Sequence, residues 1–131
     1  MIYKDRKIAA PSVNAENKAY FDAASSGKLL LKHCNSCQGF HHYPRAICPH
    51  CFSDKTGWKE SKGTATIYTY SVLRRGVPEP YCIAYVTLDE GVTLMTNIVD
   101  CDLDQVRIGQ KVKVVFKPTE GGPAVPMFTP A

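Results

Sequence analysis

No apolar run in this chain approaches the ~20 residues that a membrane-spanning helix needs. Across its 131 residues, the first stretch, Met1-Ile2-Tyr3-Lys4-Asp5-Arg6, also lacks the apolar centre of a secretory signal. The expectation is a soluble, cytoplasmic protein with no membrane association. Catalytic signatures are equally scarce. There is no Gly-rich phosphate loop, no G-x-S-x-G elbow and no H-E-x-x-H pair. None of the four histidines lies beyond His50, so a general base in the second half would have to be a carboxylate or a thiol. The acids there, Asp89, Glu90, Asp100, Asp102 and Asp104, fall in predicted turns, where capping or solvated carboxylates are the common case. No catalytic residue is assigned, and a non-catalytic role is expected. A strongly basic half is missing too. Residues 1–62 hold ten Lys/Arg against five Asp/Glu, and residues 63–131 hold six against seven. That balance disfavours nucleic acid, because surfaces that track a single strand rely on a positive groove lined with aromatics.

Hydrophobic residues make up 44% of the chain and are spread through it, which excludes disorder. Residues 1–13 read as an extended lead-in. From Asn14 to Ser26 the spacing of Ala15, Ala19, Tyr20, Ala23 and Ala24 predicts a helix, with Ser12 or Asn14 as cap and Gly27 just past its end. Leu29-Leu30-Leu31 starts a short strand, and residues 52–62 read as a polar linker anchored by Trp58. Beyond Gly63 the pattern alternates. Strands are predicted over 63–73, with Ala65, Ile67, Thr69, Ser71 and Leu73 on one face, and over 81–88, 92–99 and 111–117. A single helical turn is expected near 100–106. Asp89-Glu90-Gly91 is a hairpin signature, and the tail Ala124–Phe128 reads as a fifth strand whose prolines argue for an edge. Five strands with a short helix between the third and fourth is the element order of an OB-fold. The fold class is thus mainly β: a lead-in and helix (1–27), a cysteine ribbon (28–62) and a five-stranded OB-fold barrel (63–131).

Six cysteines carry the chemistry. Cys34-Asn35-Ser36-Cys37 and Cys48-Pro49-His50-Cys51 are two C-x-x-C pairs ten residues apart. Each pair presents two sulfurs from one tight turn, and four sulfurs converging on one ion give tetrahedral thiolate coordination. Two disulfides are the poorer reading, since a bridge over two residues constrains little of the unfolded chain. Zinc is the default metal, and a rubredoxin-type iron site with the same four sulfurs stays open. A closed four-thiolate shell holds no water or substrate, so one structural ion is expected. His33, His41, His42 and His50 crowd this region and read as exposed knuckle residues. Cys82 reads as a buried small side chain and Cys101 as a loop thiol. Arg74-Arg75 is the one compact cationic pair in the second half, suited to a phosphate-bearing ligand.

Taken together, Tyr20-Phe21, Gly27-Lys28-Leu29-Leu30-Leu31, Cys34-x-x-Cys37, Tyr43-Pro44-Arg45, Cys48-Pro49-His50-Cys51, Leu88-Asp89-Glu90-Gly91, Thr96-Asn97-Ile98-Val99 and Arg107-Ile108-Gly109 resemble the DUF35 family. Its members join a rubredoxin-like zinc ribbon to an OB-fold. The sequence departs from the family pattern in that Gly39 is the second residue after Cys37, and Phe52-Ser53 follows Cys51 where glycine is common. The resemblance implies an accessory subunit of a thiolase or acyltransferase complex acting on an acyl-CoA. The partner would supply the catalytic residues, and this chain would support assembly and help position the CoA thioester. Phe40, Tyr43, Phe52 and Phe128 are the expected partner contacts. A hot-dog acyl-CoA hydratase as partner, a single-stranded nucleic-acid module and an iron electron carrier are the alternatives.

Overall fold

The computed structural model describes residues 1–131. No helix in it is long and apolar enough to cross a membrane. Helix α1 spans Lys18–Ser25 and is shorter than its sequence pattern. The Asn14 side chain accepts the amide hydrogens of Glu16 and Asn17 at 2.9 and 3.0 Å, so the predicted first turn is a capped turn that leads into the helix. The C-terminal end follows the glycine. Gly27 sits at φ 82°, and the N–H groups of Gly27 and Lys28 donate back to Ala24 and Ala23 at 3.1 and 2.9 Å.

Three strands build the ribbon: β1 (Leu30–Cys34), β2 (Phe40–His41) and β3 (Thr56–Glu60), in the order β2-β1-β3. The expected linker thus contains a strand, pairing with β1 from Leu30↔Glu60 to Cys34↔Thr56. Its polar residues are tolerated because β3 is an edge with one half-buried face. Lys32 lies across this face, its ammonium 4.2 Å from the Trp58 ring centroid.

The barrel closes through β4 (Thr64–Leu73), β5 (Tyr81–Leu88), β6 (Thr93–Ile98), β7 (Lys111–Lys117) and β8 (Val125–Pro130), in the order β4-β5-β6-β8-β7. The helical turn before β7 is a 3₁₀ turn, Leu103–Gln105, capped by Asp102 through the Asp104 N–H at 3.0 Å. The tail strand is no edge. β8 pairs with β7 at six positions and meets β6 in parallel at Ile98↔Phe128. The β6 side draws on a carbonyl of β8, with Val99 N–H donating to Phe128 at 2.8 Å, and prolines supply carbonyls as well as any residue. In β4 the expected face holds only for Ala65 and Ile67. A bulge at Tyr68 sets Ile67↔Val86 beside Thr69↔Tyr85, which reverses the parity, so Val72 and not Ser71 turns toward the core.

One core runs through both halves. Tyr20, Phe21, Leu29 and Leu31 join Val86, Leu94, Ile98, Val112 and Phe128 in a single buried cluster. The base of the ribbon thus shares the core of the barrel. The lead-in lies along the barrel, with Tyr3 buried and its N–H on the Cys101 carbonyl at 2.8 Å. At the junction the Glu90 carboxylate accepts from Ser61 Oγ and Lys62 N–H, both at 2.9 Å, and so ties ribbon to barrel hairpin.

Candidate metal centre and partner face

The two knuckles repeat the same backbone wiring. The N–H of Cys34 donates to the Gly39 carbonyl and that of Cys48 to the Ser53 carbonyl, both at 2.9 Å. The N–H groups of Gln38 and Phe52 return to the carbonyls of Cys34 and Cys48, again at 2.9 Å. These closures force φ to 64° at Gln38 and 63° at Phe52, the left-handed region where a side chain costs energy and glycine does not. The missing glycines are therefore replaced in place, at the same backbone conformation.

This wiring converges four sulfurs. Cys34 and Cys51 Sγ lie 3.6 Å apart and Cys37 and Cys48 Sγ 3.8 Å apart, with all four within 4.8 Å of one another. A tetrahedral ion with metal–sulfur bonds of ~2.3 Å sets its sulfurs ~3.8 Å apart, close to these separations, so the donor set fits one zinc. None of the four is disulfide-bonded. Amide hydrogens of Cys37 and His50 point at Cys34 and Cys48 Sγ, both at 3.4 Å, and favour the thiolate form. The Cys37 amide is the largest influence that brings the Cys34 thiol down to about 6. Four sulfurs complete the shell, so the ion's work is structural.

The histidines brace this unit, and two of them correct the expectation of exposure. His33 and His41 are both 4% exposed. His33 packs its ring on Phe40 at 4.8 Å, and His41 Nε2 accepts the Arg45 amide hydrogen at 3.3 Å. His42 Nε2 faces the Tyr20 hydroxyl at 3.4 Å, and burial lowers it to about 4. His50 Nε2 faces the Phe40 carbonyl at 3.2 Å.

The remaining expected site residues scatter. Arg74 is engaged by Asp104 at 2.6 Å in an exposed pair, while Arg75 has no ion-pair partner. Phe52 and Tyr43 are both exposed, at 80% and 37%, the Tyr43 hydroxyl accepting from Asn17 Nδ2 at 2.7 Å. Phe40 packs against the core edge. Phe128 is fully buried inside the barrel and cannot touch a partner, because β8 closes the barrel with that side chain inward.

Sequence reasoning missed a face. Strands β4, β5 and β6 contain no charged residue at all. Their inward positions fill the core, yet their outward ones also carry Tyr81, Ile83, Tyr85 and Met95, where polar residues are usual. Tyr85 sits directly across from Met95. Two adjoining grooves cross this face, of about 430 and 280 Å³, and share Met95, Val125 and Pro126. The run without charge was visible in the sequence; that its outward half stays uncovered was not.

A four-thiolate ribbon mounted on a closed five-stranded barrel defines a zinc-ribbon OB-fold protein. The family model for the ChsH2 rubredoxin-like zinc ribbon domain matches residues 21–57, and that for the ChsH2 C-terminal OB-fold domain matches residues 58–117. The chain belongs to the DUF35 family. It is 37% identical over 96 residues to a Methanocaldococcus jannaschii protein named "DUF35 domain-containing scaffold protein", covering 68% of this chain and 67% of that one. It is 33% identical to a Thermomonospora curvata protein named "Probable enoyl-CoA hydratase alpha subunit", over 92% of this chain but only 39% of that protein's length. Among solved structures, "Ltp2-ChsH2(DUF35) aldolase" superposes with a TM-score of 0.80 at 32% identity, covering 92% of this chain and 98% of that one. A DUF35 protein of unknown function from Sulfolobus solfataricus shares the fold, with a TM-score of 0.66 at 18% identity, over 91% of this chain and 87% of that one.

Proposed function

We propose that this chain is the non-catalytic zinc-ribbon OB subunit of a cytoplasmic hetero-oligomeric enzyme that acts on an acyl-CoA, with a thiolase- or acyltransferase-type subunit as its partner. The observation that carries this reading is the match to the DUF35 chain of an aldolase complex across nearly the full length of both chains. The geometry supports it. The metal centre is closed, so it stiffens the ribbon and leaves no position for a substrate, and the exposed chemistry is an apolar sheet face. A hydratase-type partner is the second reading, favoured by the relative named an enoyl-CoA hydratase subunit.

Co-expression with candidate thiolase-type and hydratase subunits, followed by native mass measurement and acyl-CoA turnover, tests both. Assembly with one of them, and turnover that needs the pair, is the expected result. A chain that stays alone with either subunit and binds no CoA ester would end the proposal. CoA positioning rests on Arg74 and Arg75, of which only Arg75 is free of an ion pair. Replacing both by Ala should leave the fold intact and raise KM for the acyl-CoA. Unchanged kinetics would remove that pair from the ligand site.

A further inference from the structure

We propose that the partner subunit seats on the outward face of β5, β6 and β8, and that it brings a carboxylate to the guanidinium of Arg6 at the end of that face. This rests on the reading of the chain as a subunit of an acyl-CoA enzyme, and adds where the partner sits and what chemistry it presents there.

The face is built like the centre of an interface. Tyr81, Ile83, Tyr85, Met95, Val125 and Pro126 line its two grooves, and no charged side chain lines either of them. Interface centres are depleted of charge and enriched in tyrosine and methionine, and a monomer gains nothing by leaving Met95 62% and Tyr85 45% exposed.

Arg6 marks one end. Its guanidinium lies 4.0 Å above the Tyr81 ring and donates to Asn97 Oδ1 at 2.7 Å, so it is held against the outward face of β5 and β6. It forms no salt bridge. Its Nε–H is buried without an acceptor. A guanidinium fixed by stacking, with no ion-pair partner and with Nη1 hydrogens that make no hydrogen bond within the chain, is prepared for a carboxylate that arrives from outside. A recess of about 430 Å³, which shares Tyr81 with the apolar face, opens beside it. Two carboxylates line that recess, but Asp5 pairs with Lys117 at 3.1 Å and Glu79 pairs with no cation. The match required of the partner is therefore an apolar surface with one acidic side chain at its edge.

The test is the dissociation constant of the complex with the enzyme subunit that assembles in the co-expression experiment, measured at low and high salt. Met95→Lys should weaken it about a hundredfold or more and Tyr85→Ser about tenfold, as expected for central interface residues. Arg6→Met should weaken it about tenfold and remove most of its salt dependence, with Arg6→Lys recovering part of both. Ile108→Ser, an exposed apolar site off the grooves, should change it by less than about twofold. Zinc content and circular dichroism of each variant establish that it is folded. A complex that tolerates Met95→Lys and Tyr85→Ser refutes the seat and leaves the functional reading standing. Salt dependence that survives Arg6→Met refutes the carboxylate. If the wild-type chain assembles with no acyl-CoA enzyme subunit, reading and seat fall together. A homodimer that Met95→Lys dissolves would show a second copy on the face and overturn the proposal.

Discussion

Replacing Phe52 by glycine should stabilise the protein. Phe52 closes the second knuckle at φ 63°, and its amide hydrogen already serves the Cys48 carbonyl at 2.9 Å, so glycine keeps the bond and drops the strain. A left-handed residue with a Cβ costs roughly 1–2 kcal/mol. Against this, glycine widens the unfolded ensemble by about 0.4–1 kcal/mol. With the ring 80% exposed, almost no burial is lost. The net is a gain of about 0.5–1 kcal/mol, and because ribbon folding and metal binding are coupled, zinc affinity should rise roughly two- to fivefold. Chelator competition and urea unfolding of the zinc-loaded protein read the two quantities. Gln38→Gly relieves the same strain at φ 64° but forfeits the Gln38 Nε2 bond to the Asn35 carbonyl at 3.0 Å, so its gain should be smaller. A loss of stability and zinc affinity in Phe52→Gly would refute the account of how the knuckles are closed.

Cys48→Ser should strip the metal and unravel the knuckles while the barrel, α1 and the start of β1 keep their protection from amide exchange, since these share the common core; loss of protection throughout would show that the ion holds the barrel too. Burial holds His42 at about 4 against an ordinary 6.5, so the unfolded chain takes up the proton first and stability is complete above 6.5 and falls as the pH drops toward 4. By about pH 5 this group should have cost about 2 kcal/mol, and His42→Gln should lack that part of the decline; parallel curves for the two proteins would contradict it. Gly63 stands at φ 79° with Val114 Cγ1 2.6 Å from where a Cβ would lie. Gly63→Ala should therefore lose about 2–3 kcal/mol in urea unfolding, and a neutral result would mean the ribbon–barrel junction yields freely.

The local chemistry was legible. Spacing alone placed the four metal ligands, because two-residue gaps dictate a knuckle whatever surrounds it, and alternation placed every barrel strand within a residue or two. Gly27 and Gly91 marked ends that depend only on their own neighbours. The misreadings share one cause. The reversed face beyond Tyr68, the burial of Phe128, the strand at Thr56–Glu60 and the enclosed His33 and His41 each depend on a partner strand distant in sequence. Alternation reports that two faces differ, but not which one a barrel will close over.

The sequence by itself determined the donor set, the barrel strands and the charge-free stretch from Thr64 to Leu73 and through β5 and β6. Only the tertiary structure decided that Tyr81, Ile83, Tyr85 and Met95 remain outside with Arg6 stacked at their edge. Closing a barrel buries one side of every strand, and which side is fixed by register and by a single bulge, quantities that belong to pairs of strands and not to any one of them.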